Sequence, residues 1–265
     1  MAQLAMWCGG AGLVVCETRV GLVTRGGRRG SWLYARLMVG AASDVSRALG
    51  LVADAVGARE CILFLGAGVH APPPAGSVFV YPAELRPPVG SAFSRELAGE
   101  CGLAELLPRE DPGNLQRVAL AYEIAFSRHQ LVDAVTDAVH VGKEPSPMLR
   151  ALAELDFPVV ITTNYDQLFE QALRDVGKQP RVAIYTPRLE ETIDYRKPTA
   201  QSPIVFKIHG DISRPETVVI TDEDYIDVTV QVGVGRCGVV SRITWFCRES
   251  CIRGGIGCQR GAAEL

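Results

Sequence analysis

Two short, almost wholly apolar runs constrain this chain more than any other feature of its sequence. Cys61–Leu65 ends at a glycine, and Val159–Thr162 follows a Phe-Pro pair. Such runs are typical of strands that are buried on both faces of a parallel sheet. Because helical patterns fill much of the chain between and after them, we predict an α/β doubly wound domain whose polar loops collect at the carboxyl edge of the sheet.

Helical periodicity predicts two or three helices over residues 91–142 and two more beyond them. Ser146 followed by Pro147 favours the start of a helix, and a further helix after Asp166 should end at Gly177. Short strands are predicted at Val182–Tyr185, Ile204–Ile208 and Thr217–Ile220. The apolar residues that define the helices of residues 91–142 are Phe93, Leu97 and Cys101, then Leu115, Val118, Tyr122 and Phe126, then Leu131, Val135 and Val139.

The two ends of the chain differ in composition from its middle. Residues 1–59 carry 7 basic and 3 acidic groups, residues 229–265 carry 5 and 2, and the middle carries 15 and 25, so the net charges are +4, +3 and −10. All 16 prolines lie in the middle. We therefore expect atypical extensions at 1–57 and 229–265, with Met38 as the natural start and a reading-frame change near Val228. Residues 1–37 and 229–265 should be frayed or poorly packed.

Charge and hydropathy exclude several classes of partner. Lys and Arg number 27 against 30 Asp and Glu, so a net charge of −3 favours neither nucleic acid nor an anionic membrane. We find no apolar run of the roughly 18–20 residues that a membrane helix needs. We predict a cytoplasmic protein, and in that compartment its cysteines should be reduced. We predict no metal site, because the four cysteines of the tail lack paired Cys-x-x-Cys spacing. These are Cys237, Cys247, Cys251 and Cys258.

The loop after the first apolar run carries a nucleotide-binding signature. Its residues Gly66, Ala67, Gly68, Val69, His70 and Ala71 fit the pattern G-x-G-x-x-[GA]. A dehydrogenase continues this loop into a long helix, but three prolines at 72–74 stand there, so we do not predict a hydride-transfer site. Two interpretations remain, a loop whose backbone N–H groups approach a pyrophosphate and a plain strand-to-loop turn.

Two further motifs, taken in order with the glycine loop, resemble those of the silent information regulator (sirtuin) superfamily. They are Ile161-Thr162-Thr163-Asn164-Tyr165-Asp166 and Phe206-Lys207-Ile208-His209-Gly210-Asp211. The resemblance covers about residues 58–228 and is closer to the prokaryotic NAD-hydrolysing branch than to the protein deacylases. It implies a Rossmann-like domain that binds NAD in an inverted manner relative to dehydrogenases, with a small module inserted at about residues 91–142.

The resemblance also implies a role for each motif. The Gly66–Gly68 loop would hold the NAD phosphates, Asn164 would position the nicotinamide ribose and the attacking water, and Asp166 would hold the nicotinamide carboxamide. His209 would be the general base acting on a ribose hydroxyl. Taken singly, each residue also has a structural interpretation: Asn164 as a turn former, Asp166 as a helix cap and His209 as a hydrogen-bonded structural residue.

Two departures from the family pattern affect the expected site. His70 stands where the family usually has serine, so its ring would either add a contact to the phosphates or crowd them. In addition, nothing in residues 229–265 matches the family's late strand and its Gly-x-Ser-Leu-type loop. If this tail is out of frame, the C-terminal part of the sheet and half of the dinucleotide site are missing.

These observations lead to one preferred function and two alternatives. We expect hydrolysis of NAD, as the substrate, to nicotinamide and ADP-ribose by an antiphage defence effector, with a homo-oligomer or a defence partner as its assembly. A lysine deacylase would use the same motifs but is expected to carry a Cys-x-x-Cys pair, which residues 91–142 lack. A regulatory module that binds NAD or ADP-ribose without turnover is the third interpretation.

Overall fold

The protein is described here by a computed structural model. It describes the backbone of four strands within residues 3–35 and, with side chains, residues 50, 53–54, 56–59, 61–185 and 198–226. The C-terminal segment 229–265, for which the sequence predicts an atypical tail, lies outside these described residues.

Eight strands form one sheet in the order β4-β3-β2-β1-β5-β6-β8-β7. The last four strands in this order are parallel, which confirms the predicted α/β parallel sheet. Within it, the bounds of β6 match the prediction and those of β7 and β8 fall within one residue of it. The strands are β1 (Gln3–Cys8), β2 (Ala11–Cys16), β3 (Arg19–Gly26), β4 (Ser31–Ala35), β5 (Cys61–Leu65), β6 (Val159–Thr162), β7 (Arg181–Ile184) and β8 (Ile204–Lys207).

The N-terminal strands extend the parallel sheet on one side. β1 pairs antiparallel with β2 and with β5, and β2, β3 and β4 continue the antiparallel order. The expectation of a frayed backbone is therefore wrong for these strands. The physical reason is that strands joined by short connections pair locally, and the ladder hydrogen bonds offset the entropy cost that their glycines impose.

Six α-helices accompany the described strands, and four of them fill the predicted helical stretch 91–142. Ser146 caps α5 as expected, since its Oγ accepts a hydrogen bond from the Leu149 amide at 3.1 Å. Gly177 follows α6 with a φ of +79°, a conformation that favours glycine. The helices are α1 (Gly90–Glu100), α2 (Leu103–Leu106), α3 (Leu115–Ala125), α4 (Arg128–Val139), α5 (Pro147–Glu154) and α6 (Leu168–Asp175).

Two apolar cores lie within the described residues. The first packs the inner strands β5, β6 and β8 against α5 and α6, with Leu63, Val160, Val205, Leu149 and Leu168 among its buried members. The second joins α1, α3 and α4 to the segment that follows β8. Its buried members include Phe93, Leu97, Val118, Leu131, Val135, Ile212, Val218 and Ile220. The inserted helices therefore cover the chain that continues from the end of β8.

This second core explains one wrong prediction. Thr217–Ile220 is not a strand: Pro215–Thr217 forms a 3₁₀ turn, and Val218–Ile220 is buried without pairing in the sheet. An apolar run of four residues signals burial, but it does not say whether a sheet or a helical layer provides the cover.

Two smaller observations complete the fold. Cys61 on β5 is disulfide-bonded, which corrects the expectation that all cysteines are reduced, because pairing depends on spatial proximity that spacing along the chain does not show. Cys101 is a buried free thiol. No helix within the described ranges is long and apolar enough to cross a lipid bilayer.

Candidate active site

The register of the parallel strands brings the three sequence motifs to one edge of the sheet. Leu65 of β5 pairs with Thr162 of β6, and Thr162 pairs with Lys207 of β8. Asn164 and His209 therefore each lie two residues beyond the same level of the sheet, on neighbouring strands. The glycine loop begins one residue beyond that level, so the motifs leave the sheet side by side at its carboxyl edge.

The glycine loop forms one short turn rather than a long helix. Residues 67–70 make a 3₁₀ turn in which the Val69 amide donates to the Gly66 carbonyl at 3.0 Å. The chain then passes through the prolines without regular structure, in agreement with the exclusion of a dehydrogenase-type helix. The first N–H groups of such a turn take no part in its own hydrogen bonds.

His70, at the end of this turn, contacts two of the predicted site residues. Its ring is 2% exposed, and its Nε2 lies 3.2 Å from Asp166 Oδ2 and 3.4 Å from Asn164 Nδ2. The residue that departs from the family pattern thus contacts Asp166 in the protein interior. The expectation that the ring meets the phosphates is not tested by these contacts.

Asp166 is held on both carboxylate oxygens. Oδ1 accepts the Leu168 amide at 2.9 Å just before α6. The N-cap residue of α6 is Gln167 and not Asp166, so the helix-cap interpretation is wrong by one position, although Asp166 does bind the first amide of the helix. Burial by itself raises the pKa of this carboxyl, but the His70 ring and the Lys207 ammonium outweigh burial, and the pKa lies below its ordinary value. Asp166 is therefore an anion at neutral pH.

Two buried polar atoms at this place have no hydrogen-bond partner among the described residues. They are Nδ1 of His70 and Oδ1 of Asn164. Buried polar atoms are nearly always hydrogen-bonded in folded proteins, to protein, water or a ligand. Both atoms therefore remain available as hydrogen-bonding groups of the candidate site.

Lys207, the last residue of β8, contacts both motif loops. Its side chain is fully buried, and its Nζ donates to the carbonyls of Tyr165 and Asp166. The same ammonium pairs with the carboxylates of Asp211 and Glu170. It thus ties the loop after β6 to the loop after β8.

The two carboxyls around Lys207 respond differently to burial. Burial raises the pKa of Glu170 above its ordinary value and exceeds the opposing effect of Lys207. Burial also opposes ionisation of Asp211, but Lys207 and hydrogen bonds from Ser213 hold its pKa below the ordinary value. The sequence already indicated such partners for Lys207, because a lysine that is buried within the apolar run Ile204–Ile208 must be paired.

His209 lies in a different environment from His70. Burial lowers its pKa from 6.5 to about 4, although part of the residue remains accessible to solvent. Its Nδ1 is 3.3 Å from the Tyr225 hydroxyl, and the two rings meet edge to face with centroids 5.2 Å apart. At pH 7 the ring is a neutral imidazole, the form that can accept a proton.

Gly210 allows the chain to turn directly after His209. Its φ is +86°, and a Cβ at this position would clash with the Thr217 carbonyl and lie 2.7 Å from the Val218 nitrogen. The Val219 amide donates to the His209 carbonyl at 3.0 Å, which closes the turn. A glycine is therefore required for the segment 217–219 to pack against His209.

No group of three or more histidine, cysteine, aspartate or glutamate side chains in the described part of the chain is arranged to hold a metal ion. The candidate site contains backbone and side-chain amides, the imidazoles of His70 and His209, and buried carboxylates.

Comparison with known proteins gives one family match and several relatives. Residues 158–234 match the model of the SIR2-like domain, and this segment contains Asn164, Asp166 and His209. The NAD(+) hydrolase ThsA of Acinetobacter baumannii (strain 532279) is 32% identical over 163 residues, which are 62% of this chain and 30% of that protein. The NAD(+) hydrolase ThsA of Cytobacillus dafuensis is 40% identical over 97 residues, 36% of this chain and 19% of that protein. The chain spans less than a third of the length of these relatives.

Proposed function

Because the chain carries a SIR2-like domain of the sirtuin superfamily, similar to that of prokaryotic NAD(+) hydrolases, we propose that it hydrolyses NAD to nicotinamide and ADP-ribose. The proposal rests on the positions of Asn164 and His209. Each lies two residues beyond the paired residues Thr162 and Lys207 of neighbouring parallel strands, beside the glycine loop. The relatives supply the substrate, and this geometry supplies groups suited to the chemistry.

In the proposed reaction, water adds to the anomeric carbon of the nicotinamide ribose as the bond from that carbon to the pyridinium nitrogen breaks. The nitrogen keeps the bonding electrons and leaves as neutral nicotinamide, and one proton is released. The ribose passes through an oxocarbenium-like state, which nearby oxygen dipoles stabilise. A neutral imidazole accepts a proton near pH 7.

We assign the roles accordingly. The loop of Gly66, Ala67 and Gly68 binds the NAD phosphates, and Asn164 positions the ribose and the attacking water. Asp166 holds the nicotinamide carboxamide, which is compatible with its two existing contacts because an ionised carboxylate accepts more than two hydrogen bonds. His209 is the general base on a ribose hydroxyl, and burial keeps its ring in the neutral form that can accept a proton.

The experiment compares nicotinamide release by the full-length chain with that of His209→Ala and Asn164→Ala. Each variant should lower turnover by at least about 100-fold, the lower end of what an acid–base or electrostatic group contributes. NAD binding, followed by isothermal titration, should fall much less. His129→Ala is the matched control, because that histidine is on α4 with a side chain 85% exposed.

The outcomes separate the alternatives. Near-wild-type nicotinamide release by both variants would show that the site is assigned wrongly. Binding of NAD by the wild-type chain without any turnover would favour a regulatory module. Release that requires an acylated lysine peptide would favour a deacylase.

The wider role follows from the family resemblance. We propose that residues 58–228, with the helical insertion at about 91–142, form the NAD-binding domain between extensions 1–57 and 229–265. NAD depletion would serve as an antiphage effector function in the cytoplasm, with a homo-oligomer or a defence partner as the assembly. Survival of phage-infected cells that express the wild-type chain or His209→Ala tests this role, and equal survival would oppose it.

A further inference from the structure

The buried ammonium of Lys207 joins the loop after β6 to the loop after β8. Its side chain is fully enclosed at the end of β8, two residues before His209. Its Nζ donates to the carbonyl of Tyr165 at 3.1 Å and to the carbonyl of Asp166. The same Nζ pairs with the carboxylate of Asp211, two residues after His209. One charged group therefore contacts both loops of the candidate site.

The donors of this ammonium are fully used. An ammonium has three N–H donors and no acceptor. Two of them go to the carbonyls of Tyr165 and Asp166, which leaves one for the carboxylates of Asp211 and Glu170. The two carbonyls belong to the peptide units on either side of Asp166. Because each peptide unit is planar, the direction of these carbonyls fixes the backbone from which the Asp166 side chain extends.

Direct contacts between the two loops are arranged around Lys207. The Ile212 amide donates to the Tyr165 carbonyl at 3.1 Å. The Gln167 side chain donates from Nε2 to Oδ1 of Asp211 at 2.9 Å. The acceptor group in each bond, a carbonyl and a carboxylate, is also held by Lys207. Removal of the ammonium should therefore loosen both bonds together.

We propose that Lys207 is a positioning residue for NAD hydrolysis, whose buried ammonium holds the loop of Asn164 in register with the loop of His209. A displacement of about 1 Å between reacting groups can lower turnover by about 100-fold. The inference rests on the proposed function in taking Asn164, Asp166 and His209 as the groups that act on NAD. It goes beyond that function by assigning their alignment to a residue enclosed beneath them.

A double variant separates this role from the simple loss of a buried ion pair. Lys207→Met alone would leave the Asp211 carboxylate buried without its cation, which is strongly destabilising. Lys207→Met/Asp211→Asn removes both charges, and the asparagine keeps an oxygen that can accept from Gln167. Glu170 can then take up a proton, because burial already raises its pKa. The double variant should therefore fold but lack the donor to the two carbonyls.

Two measurements on the full-length chain test the proposal. The double variant should lower kcat for nicotinamide release by about 10- to 100-fold, with KM within about 3-fold, because alignment matters most in the transition state. Without substrate, hydrogen exchange at the Ile212 amide should be at least about 10-fold faster than in the wild type, since its acceptor is the Tyr165 carbonyl.

Lys178→Met is the matched control. The Lys178 ammonium is also buried, donates to the carbonyl of Leu155 and pairs with Asp156. These contacts precede β6 and so lie at the other end of that strand from the candidate site. The control should lower Tm but leave kcat and the exchange at Ile212 unchanged.

The outcomes distinguish the proposal from the function on which it rests. A double variant that keeps the wild-type kcat, or a Lys178→Met chain that loses as much kcat, would overturn the proposal while nicotinamide release by the wild type stands. A wild-type chain that releases no nicotinamide would overturn the proposed function. Faster exchange at Ile212 would then still support the role of Lys207 in holding the loops, and unchanged exchange would overturn it.

A further variant keeps the test decisive if the double variant does not fold by circular dichroism. Lys207→Gln keeps a polar group beside Asp211, but its side chain ends one bond short of the Nζ position. It therefore cannot donate to both carbonyls. The same losses of kcat and of protection at Ile212 are expected, and wild-type values for both would overturn the proposal.

Discussion

At the residue scale, the site contains two enclosed histidines whose surroundings differ in kind. His70 faces the carboxylate of Asp166 and the amide of Asn164, whereas His209 faces the phenol of Tyr225. The uncharged phenol offers no compensation for burial, which lowers the pKa of His209 below its ordinary value. His209 is thereby held as a neutral acceptor at pH 7.

The depressed pKa of His209 predicts a pH dependence of stability. Its folded pKa is about 4 against an ordinary 6.5, so between these values the unfolded state binds more protons than the folded state. The stabilisation of the folded state that this pKa difference provides is complete above pH 6.5 and is lost as the pH falls toward 4. Between pH 7 and pH 5, the wild-type chain should lose about 1–2 kcal/mol more of its free energy of unfolding than His209→Gln.

Urea unfolding of both chains at the two pH values measures this difference. His129→Gln should behave like the wild type, because its exposed ring has no such surroundings. An identical pH dependence in His209→Gln and wild type would contradict the assignment of a depressed pKa to His209.

At the element scale, the turn after β8 is the most restrictive part of the site. The positive φ of Gly210 and its close approach to Thr217 bring the segment that carries Val219 and Tyr225 against His209. The motif Phe206–Asp211 was recognisable from sequence. The close approach of Gly210 to Thr217, seven residues further along the chain, was not recognisable from sequence, because this contact forms only when the chain folds.

The substitution Gly210→Ala should therefore destabilise the fold by several kcal/mol, through the clash with the Thr217 carbonyl added to the roughly 1–2 kcal/mol of the left-handed conformation. Gly142→Ala is the matched control, since Gly142 has a φ of +65° but no atom within 4 Å of the position that a Cβ would take. Thermal unfolding should show a small decrease in Tm for Gly142→Ala and a much larger decrease for Gly210→Ala. Equal decreases in Tm would show that glycine is needed at position 210 because of its positive φ alone and not because of the clash.

At the scale of the whole molecule, the inserted helices and the segment after β8 form one unit. Ile212, Val218 and Ile220 complete the core of α1, α3 and α4. Arg128 of α4 reinforces this contact through the Val218 carbonyl and Asp224. The insertion thus supports the loop on which His209 depends.

Arg128→Met should destabilise the protein by about 1.5–3 kcal/mol, because it removes hydrogen bonds from a charged group to the Val218 carbonyl and to Asp224, which then keeps only its backbone amide donors. Arg117→Met, which breaks only the exposed pair with Asp222, should cost less than about 1 kcal/mol. Chemical denaturation measures both. A cost for Arg117→Met that equals or exceeds that of Arg128→Met would contradict the proposed support of the site by α4.

The amino-acid sequence by itself determined the parallel sheet, the bounds of β6, the cap at Ser146 and the motifs that gather at the carboxyl edge. These features depend on local periodicity, on turn chemistry and on the rule that parallel strands end at a common edge. Only the tertiary structure decided the partners of His70 and His209, the buried ammonium of Lys207, the cover of Val218–Ile220 and the pairing of β1 with β5. The contacts of His70, the cover of Val218–Ile220 and the pairing of β1 with β5 join residues far apart along the chain, and such contacts follow from how the layers pack, which no local pattern encodes.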